Sequence, residues 1–299
     1  MPRILNIKSN FLGIAAEHSA FESSKIVVLP APYEATVSYG SGTRNGPAAI
    51  LKASHQVEFF DEETKREIHL EHGIATLAPV NFGKKKDGEA LQVLFDAVSS
   101  LLELQKFVVT LGGEHTISAA PIAAFAKKYP DLSVLQFDAH SDLRPEYQGN
   151  KYSHASVMAR VCEFLDPTRI VQVGIRAQCR EEAEFIRDRG VNTFYAHDIR
   201  SGRHTRILKY WDDAVAEALT DTVYVTFDVD GFDPSVMPAT GTPEPNGLYW
   251  TEVMQCLRKV SQKRRIVGFD VVELAPIRGL HHPDLTTAKL VSKMLNYAL

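Results

Sequence analysis

Three short segments of this sequence concentrate oxygen and imidazole groups immediately after an apolar run. Residues 107–111 lead into Gly112-Gly-Glu-His115, residues 132–137 into Asp138-Ala-His-Ser-Asp142, and residues 222–227 into Asp228-Val-Asp-Gly-Phe-Asp233. In an extended chain, residues two apart share a face, so Asp138, His140 and Asp142 would point one way, as would Asp228 and Asp230. Singly these residues are unremarkable, because a loop histidine is usually just hydrogen-bonded and an aspartate after a strand usually closes a turn. Together they form a cluster whose unpaired charges would cost several kcal/mol each unless cations or donors neutralised them. Carboxylates with a minority of imidazoles suit a first-row divalent cation such as manganese, and the lack of thiolates argues against structural zinc. Four aspartates and two histidines exceed what one small cation needs, so two ions sharing carboxylates account for the set better.

Groups of this kind work only if rigid elements aim them. Short β-branched or aromatic runs at 25–30, 107–111, 132–137, 170–175, 191–195, 222–227 and 265–272 alternate with helix-period segments at 47–58, 88–104, 117–128, 155–165, 180–189, 205–219, 251–262 and 286–298. That alternation predicts repeated βα units around a mainly parallel sheet covered on both faces, an α/β three-layer αβα sandwich. Ligands in such sheets sit beyond the carboxyl ends of the strands, where the three polar segments fall. Gly46 and Pro47 suit a helix cap and first turn, and Arg189-Gly190 a cationic last turn with a left-handed stop. The lysine-rich connector 80–88 is short enough for a surface loop, so residues 1–299 are expected to form a single domain.

Composition narrows the function classes. The chain of 299 residues has a formal net charge of -4 with both signs interspersed, which gives no electrostatic footprint for nucleic acid or a membrane surface. Cys162, Cys179 and Cys256 are widely spaced and form no CxxC pair, which fits reduced cytoplasmic thiols. The apolar run at 11–16 is too short for a secretory signal, and the stretch 117–126 is too short to cross a bilayer. A small molecule is the expected partner.

The segments Gly112-Gly-Glu-His115, Asp138-Ala-His-Ser-Asp142 and Thr226-Phe-Asp-Val-Asp-Gly-Phe-Asp-Pro234 resemble the signature motifs of the arginase and agmatinase (ureohydrolase) family. Gly42-Thr-Arg-Asn-Gly-Pro47, Gly241-Thr-Pro-Glu-Pro245 and Asp270-Val-Val-Glu-Leu-Ala-Pro276 are similar to its agmatinase branch. The resemblance implies two Mn2+ per subunit, one held by His115, Asp138, Asp142 and Asp228, the other by His140, Asp138, Asp228 and Asp230. Glu114 stands where many relatives have Asp, which touches the surroundings of the site more than its ligands. His154 matches the family's proton-shuttling histidine, although it could merely cap the helix that follows. Glu273 matches the carboxylate that pairs with a guanidinium fork. Glu244, between two prolines, is either a loop residue or part of the pocket wall.

The four aspartates balance two divalent ions, so Glu273 would leave the pocket negative and attractive to a cationic guanidinium. The implied reaction is hydrolysis of agmatine to putrescine and urea: water acidified by the ions attacks, Asp142 passes a proton to the leaving amine, and His154 relays protons with solvent. Residues 144–149 leading into Ser153-His-Ala-Ser156 are also similar to relatives that accept aminopropylagmatine, which keeps that substrate open. Arginine, guanidinobutyrate and formiminoglutamate rank lower. A deacetylase of related fold would show a His-His pair and a catalytic tyrosine, but His281 and His282 fall in a late loop. A non-catalytic homologue would show decayed ligands, and all six are present. The family resemblance further implies a homotrimer or homohexamer.

Overall fold

The protein is described from a computed structural model, over residues 2–201 and 210–299. Eight strands form one sheet: β1 Ile26–Ala31, β2 Ile74–Thr76, β3 Phe107–Gly112, β4 Leu132–Phe137, β5 Ile170–Ile175, β6 Asn192–Tyr195, β7 Thr222–Asp228 and β8 Arg265–Val272. Their order is β2-β1-β3-β8-β7-β4-β5-β6, and every pairing is parallel. Alternate residues of each strand feed separate cores on the two faces. Ile26 and Val28 of β1 join Ile50, Val215, Leu257 and Leu290 from helices on one side. Val27 and Leu29 join Leu94, Ile122, Met158 and Ile186 from helices on the other. This is the three-layer α/β sandwich that the alternating pattern predicts.

The departures are local. The three-residue β2 is too short for its period to register in sequence, and the same holds for the helices Ile68–His72 and Ala196–Ser201. The helix expected over 155–165 divides into a 3-10 turn at His154–Ser156 and a helix at Val157–Val161. It stops well before Pro167, whose ring disfavours helical backbone at the residue before it. The start of the helix expected over 205–219 lies outside the described residues, and within them it runs Trp211–Ala218. Gly46 is the first residue of its helix rather than the cap, which falls on Asn45, while Gly190 takes the expected left-handed stop at φ 72°. No helix among the described residues is long and apolar enough to cross a membrane.

The C-terminal helix His282–Ala298 is tied to the loop around Asp61 by a buried ion pair. Lys293 Nζ lies 2.7 Å from Asp61 Oδ2 and 3.0 Å from Glu62 Oε1. Burial by itself would push the Asp61 carboxyl up, but Lys293 and the N–H of Thr64 outweigh it and hold it below the usual range. Burial likewise opposes the Lys293 ammonium, and Asp61 and Glu62 win, raising it. The depressed carboxyl stabilises the fold above its unfolded value of about 3.9, and the raised ammonium does so below about 10.4. Lys293→Met, which strands a buried carboxylate, is therefore expected to cost about 3–5 kcal/mol at neutral pH. The gap from the parent should close as Asp61 is protonated below about pH 4. Urea unfolding of both proteins at pH 7 and pH 3 reads this, and an equal gap at both values would rule the pair out as its source.

Candidate active site

Sheet register brings the polar segments together. Leu111, Val271, Phe227 and Phe137 lie side by side across β3, β8, β7 and β4, the four central strands. The chain beyond these positions supplies His115, Glu273, Asp228 with Asp230, and Asp138 to Asp142, all at the carboxyl edge of a parallel sheet. Adjacent strands are about 4.8 Å apart, so the segments converge within side-chain reach.

The convergence is not the simple alternation of an extended chain. Asp142 sits in the left-handed region at φ 54°, a turn that redirects its carboxylate, and Asp230 lies in the 3-10 turn Val229–Gly231. Asp228 caps that turn, its Oδ1 accepting the N–H of Asp230 at 2.8 Å. Glu273 is also left-handed, at φ 65°. Such backbone costs roughly 1–3 kcal/mol per residue, and here it falls on two residues with candidate chemical roles.

Two compact donor sets result. His115, Asp138 and Asp142 each offer an atom to one, and Asp138, His140 and Asp230 to the other, so Asp138 belongs to both. His115 Nδ1 lies 3.1 Å from Asp138 Oδ2, 3.1 Å from Asp142 Oδ2 and 3.4 Å from Asp228 Oδ2. His140 Nδ1 is 3.0 Å from Asp230 Oδ2 and 3.6 Å from Asp138 Oδ1. A small octahedral divalent ion holds its ligands at about 2.1 Å and hence about 3 Å from one another, close to this spacing.

The hydrogen bonding of His115 is the sharpest test of fit. The Thr226 hydroxyl donates to Asp270 Oδ1 at 2.7 Å, so its single proton is committed. At 3.0 Å from Thr226 Oγ1, His115 Nε2 must then be the donor, so Nδ1 is the nitrogen that turns to the carboxylates, and it offers them a lone pair only once its proton is displaced. That buried Nδ1 faces three carboxylates and is aligned for a hydrogen bond with none of them. With its proton displaced, that nitrogen and the carboxylate oxygens around it make a ligand set for a cation.

The acid–base properties agree. Burial opposes charge on both imidazoles, yet the surrounding carboxylates hold His115 well above its ordinary range and His140 at about 12. Burial, then the charge of Asp138, pushes Asp142 up to about 7, and burial with Asp230 and Asp138 lifts Asp228 well above the carboxylate range. Burial would also lift Asp138, but the two histidines overcome it and lower its pKa. Anionic donors this dense are relieved by divalent cations, which take the place of protons.

The remaining expected residues surround the sets. His140, Asp142, His154 and Glu244 line one cleft of about 500 Å³, together with Ser38, Arg144, Tyr147 and Thr242. His154 is partly buried, with Nδ1 3.3 Å from Thr36 Oγ1 and Nε2 3.4 Å from Ser38 Oγ. Burial lowers its pKa, which favours a neutral ring. Glu273 is buried, with Oε1 accepting the N–H of His115 at 2.5 Å, and burial raises its pKa well above the usual range. Glu114 turns away from the donor sets. Its carboxylate accepts the N–H groups of Ala35 and Thr36, both at 2.7 Å, and the Thr36 hydroxyl at 2.9 Å, anchoring the loop that faces His154.

Two supports escaped the sequence reading. Asp270, fully buried, accepts the hydroxyls of Ser118, Tyr224 and Thr226 and so fixes the His115 ring through Thr226. Arg176 spends its guanidinium on backbone carbonyls, reaching Asp230 O at 2.7 Å, Glu244 O at 2.9 Å and Phe232 O at 3.1 Å. It thereby ties the Asp230 turn to the cleft wall. An acid inside an otherwise apolar strand, opening the segment 270–276, and a cation directly after β5 were the hints.

The comparisons with known proteins agree with this geometry. A profile of the arginase family matches residues 24–299. The N(1)-aminopropylagmatine ureohydrolase of Synechocystis sp. is 38% identical over 284 residues, covering 93% of this chain and 90% of that protein. The agmatinase of Bacillus cereus is 35% identical over 283 residues, 93% of each chain. Among solved structures, the agmatine ureohydrolase of Thermoplasma volcanium superposes with a TM-score of 0.79 at 31% identity, covering 94% of this chain and 92% of that one.

Proposed function

Because this chain belongs to the arginase family, as an agmatinase-like ureohydrolase within it, we propose that it hydrolyses the guanidino group of N1-aminopropylagmatine and releases urea. The paired donor sets, sharing Asp138 and bordered by Glu273 and His154, are the observation that carries the chemistry. The tail is supported by the aminopropylagmatine ureohydrolase relative at 38% identity, which moves the preference away from plain agmatine. Agmatine is the second reading, supported by the agmatinase at 35%.

In this reading His115, Asp138, Asp142 and Asp228 hold one manganese ion, and His140, Asp138, Asp228 and Asp230 the other. When bound, the ions would acidify water to give a nucleophile at neutral pH. Glu273, fixed by the His115 N–H, offers its second oxygen to the planar guanidinium. Asp142 hands a proton to the leaving amine, and His154, at the cleft, exchanges protons with solvent. Glu244 forms part of the wall along the substrate's aminoalkyl tail. Residues 1–299 act as one domain in the cytoplasm, assembled as trimers or hexamers.

The test is urea release by manganese-loaded protein from N1-aminopropylagmatine, agmatine, arginine and guanidinobutyrate. Aminopropylagmatine is expected to lead in kcat/KM by about tenfold or more, roughly 1.4 kcal/mol of selective binding. A lead for agmatine would establish the second reading, and no urea from any of the four would remove the catalytic assignment.

A further inference from the structure

One row of the sheet lies directly beneath the metal-type donors, and it is polar across six strands. Register aligns Thr110, Asp270, Thr226, Gln136, Gln172 and Thr193 as successive neighbours on β3, β8, β7, β4, β5 and β6. All but Thr193 are buried. A buried polar row is costly unless its groups are satisfied, and from Asp270 to Thr193 this one is satisfied in a directed way, the Thr110 hydroxyl at its end being left without a partner.

The hydrogen bonds on the β4 side run in one sense. The Thr193 hydroxyl lies 3.0 Å from Gln172 Oε1, Gln172 Nε2 donates to Gln136 Oε1 at 2.7 Å, and Gln136 Nε2 donates to Asp138 Oδ2 at 2.7 Å. Gln172 Nε2 also reaches the carbonyl of Ser141 at 2.8 Å, between His140 and Asp142. Each amide is thereby fixed against flipping. If Gln136 turned over, its oxygen would face Asp138 and its amide nitrogen would face the donor Gln172.

We propose that Gln136 and Gln172 are positioning residues for the donor segment Asp138 to Asp142, and that this buried glutamine pair sets how tightly the site holds its cations. The inference rests on the two-cation reading above. Gln136 presents only a donor to Asp138 Oδ2, which fixes the rotation of a carboxylate common to both sets. Gln172 holds Gln136 in that sense and grips the backbone between the other two donors. Neither glutamine reaches the substrate cleft, so neither is a catalytic residue.

The experiment is manganese titration by calorimetry of the full-length protein and of Gln136→Leu and Gln172→Leu. Melting of the metal-free proteins and electron paramagnetic resonance of the loaded ones accompany it. Each variant is expected to lose about tenfold or more in manganese affinity, with metal-free melting held within a few degrees and an altered signal from the coupled ions. Should Gln136→Leu fail to fold, Gln172→Leu decides, since it touches no donor side chain. Wild-type affinity and an unchanged spectrum in the variants would overturn the proposal while leaving the two-cation site intact. A parent protein that takes up no manganese would overturn both.

Discussion

Asp138→Asn is expected to empty both halves of the site at once. Asp138 offers an atom to each of the two compact donor sets, and it is fully buried. Its Oδ1 accepts the N–H of His140 at 2.6 Å, and its Oδ2 accepts Gln136 Nε2 at 2.7 Å while facing His115 Nδ1. An amide keeps the shape but removes the charge, and its NH2 must either confront the Gln136 donor or turn into the donor set. Manganese content should fall from two per chain toward none. Losing metal assistance forfeits several kcal/mol of transition-state stabilisation, on the order of a thousandfold or more in urea release. Asp142→Asn, which alters one set, should by contrast leave one ion in place. Elemental analysis of the purified variants checks this, and two retained equivalents in Asp138→Asn would refute the sharing of that carboxylate.

The pair of variants also marks what the sequence could and could not reveal. His115, Asp138, His140, Asp142, Asp228 and Asp230 were legible because each follows a short apolar run, and parallel sheets place ligands at that edge. The way they converge was not. Extended alternation would have aimed Asp142 beside Asp138, but the turn at φ 54° does so instead, and left-handed backbone at an aspartate leaves no mark in hydrophobic pattern. Strand order was equally hidden. That β8 lies between β3 and β7, carrying Glu273 to the backbone of His115, follows from pairing between segments more than 150 residues apart, as the separation of 158 between His115 and Glu273 shows.

Gln136, Gln172, Thr226 and Asp270 show the same limit from another direction. In sequence Gln136 and Gln172 are isolated amides inside strands, and Thr226 and Asp270 open two of the family-like motifs without any sign that they support a neighbour. Register makes them one row, and the row lies beneath the donors. Periodicity reports which residues of a single strand share a face, not which residues of different strands lie side by side. The supports of a site built on a sheet are therefore less legible than its ligands, because a support is defined by its neighbour.

His154→Asn separates binding of cations from movement of protons, which no substitution among the donors can do. His154 belongs to neither donor set, and the hydrogen-bonding partners of its ring are hydroxyls: Thr36 at 3.3 Å, and Ser38 and Ser153 at 3.4 Å. Hydrogen bonds this long hold a ring loosely, and its place in the cleft lets it meet both solvent and the Asp142 side. Burial, with the repulsion of His140 and His115 when they are charged, lowers its pKa, so the neutral form able to accept a proton persists to lower pH than in free histidine. Asparagine keeps a polar side chain at the position but cannot carry a proton. The variant should bind two manganese ions with parental affinity and a KM within a few-fold of the parent, while kcat falls about a hundredfold or more, the usual contribution of a positioned general acid–base group. Added imidazole, a mobile proton carrier, should restore part of that loss if the missing function is proton transfer. Urea release measured with and without imidazole, beside metal analysis of the same samples, decides the matter: a fully active variant would remove His154 from the reaction, and loss of manganese would make it a support of the donor sets instead.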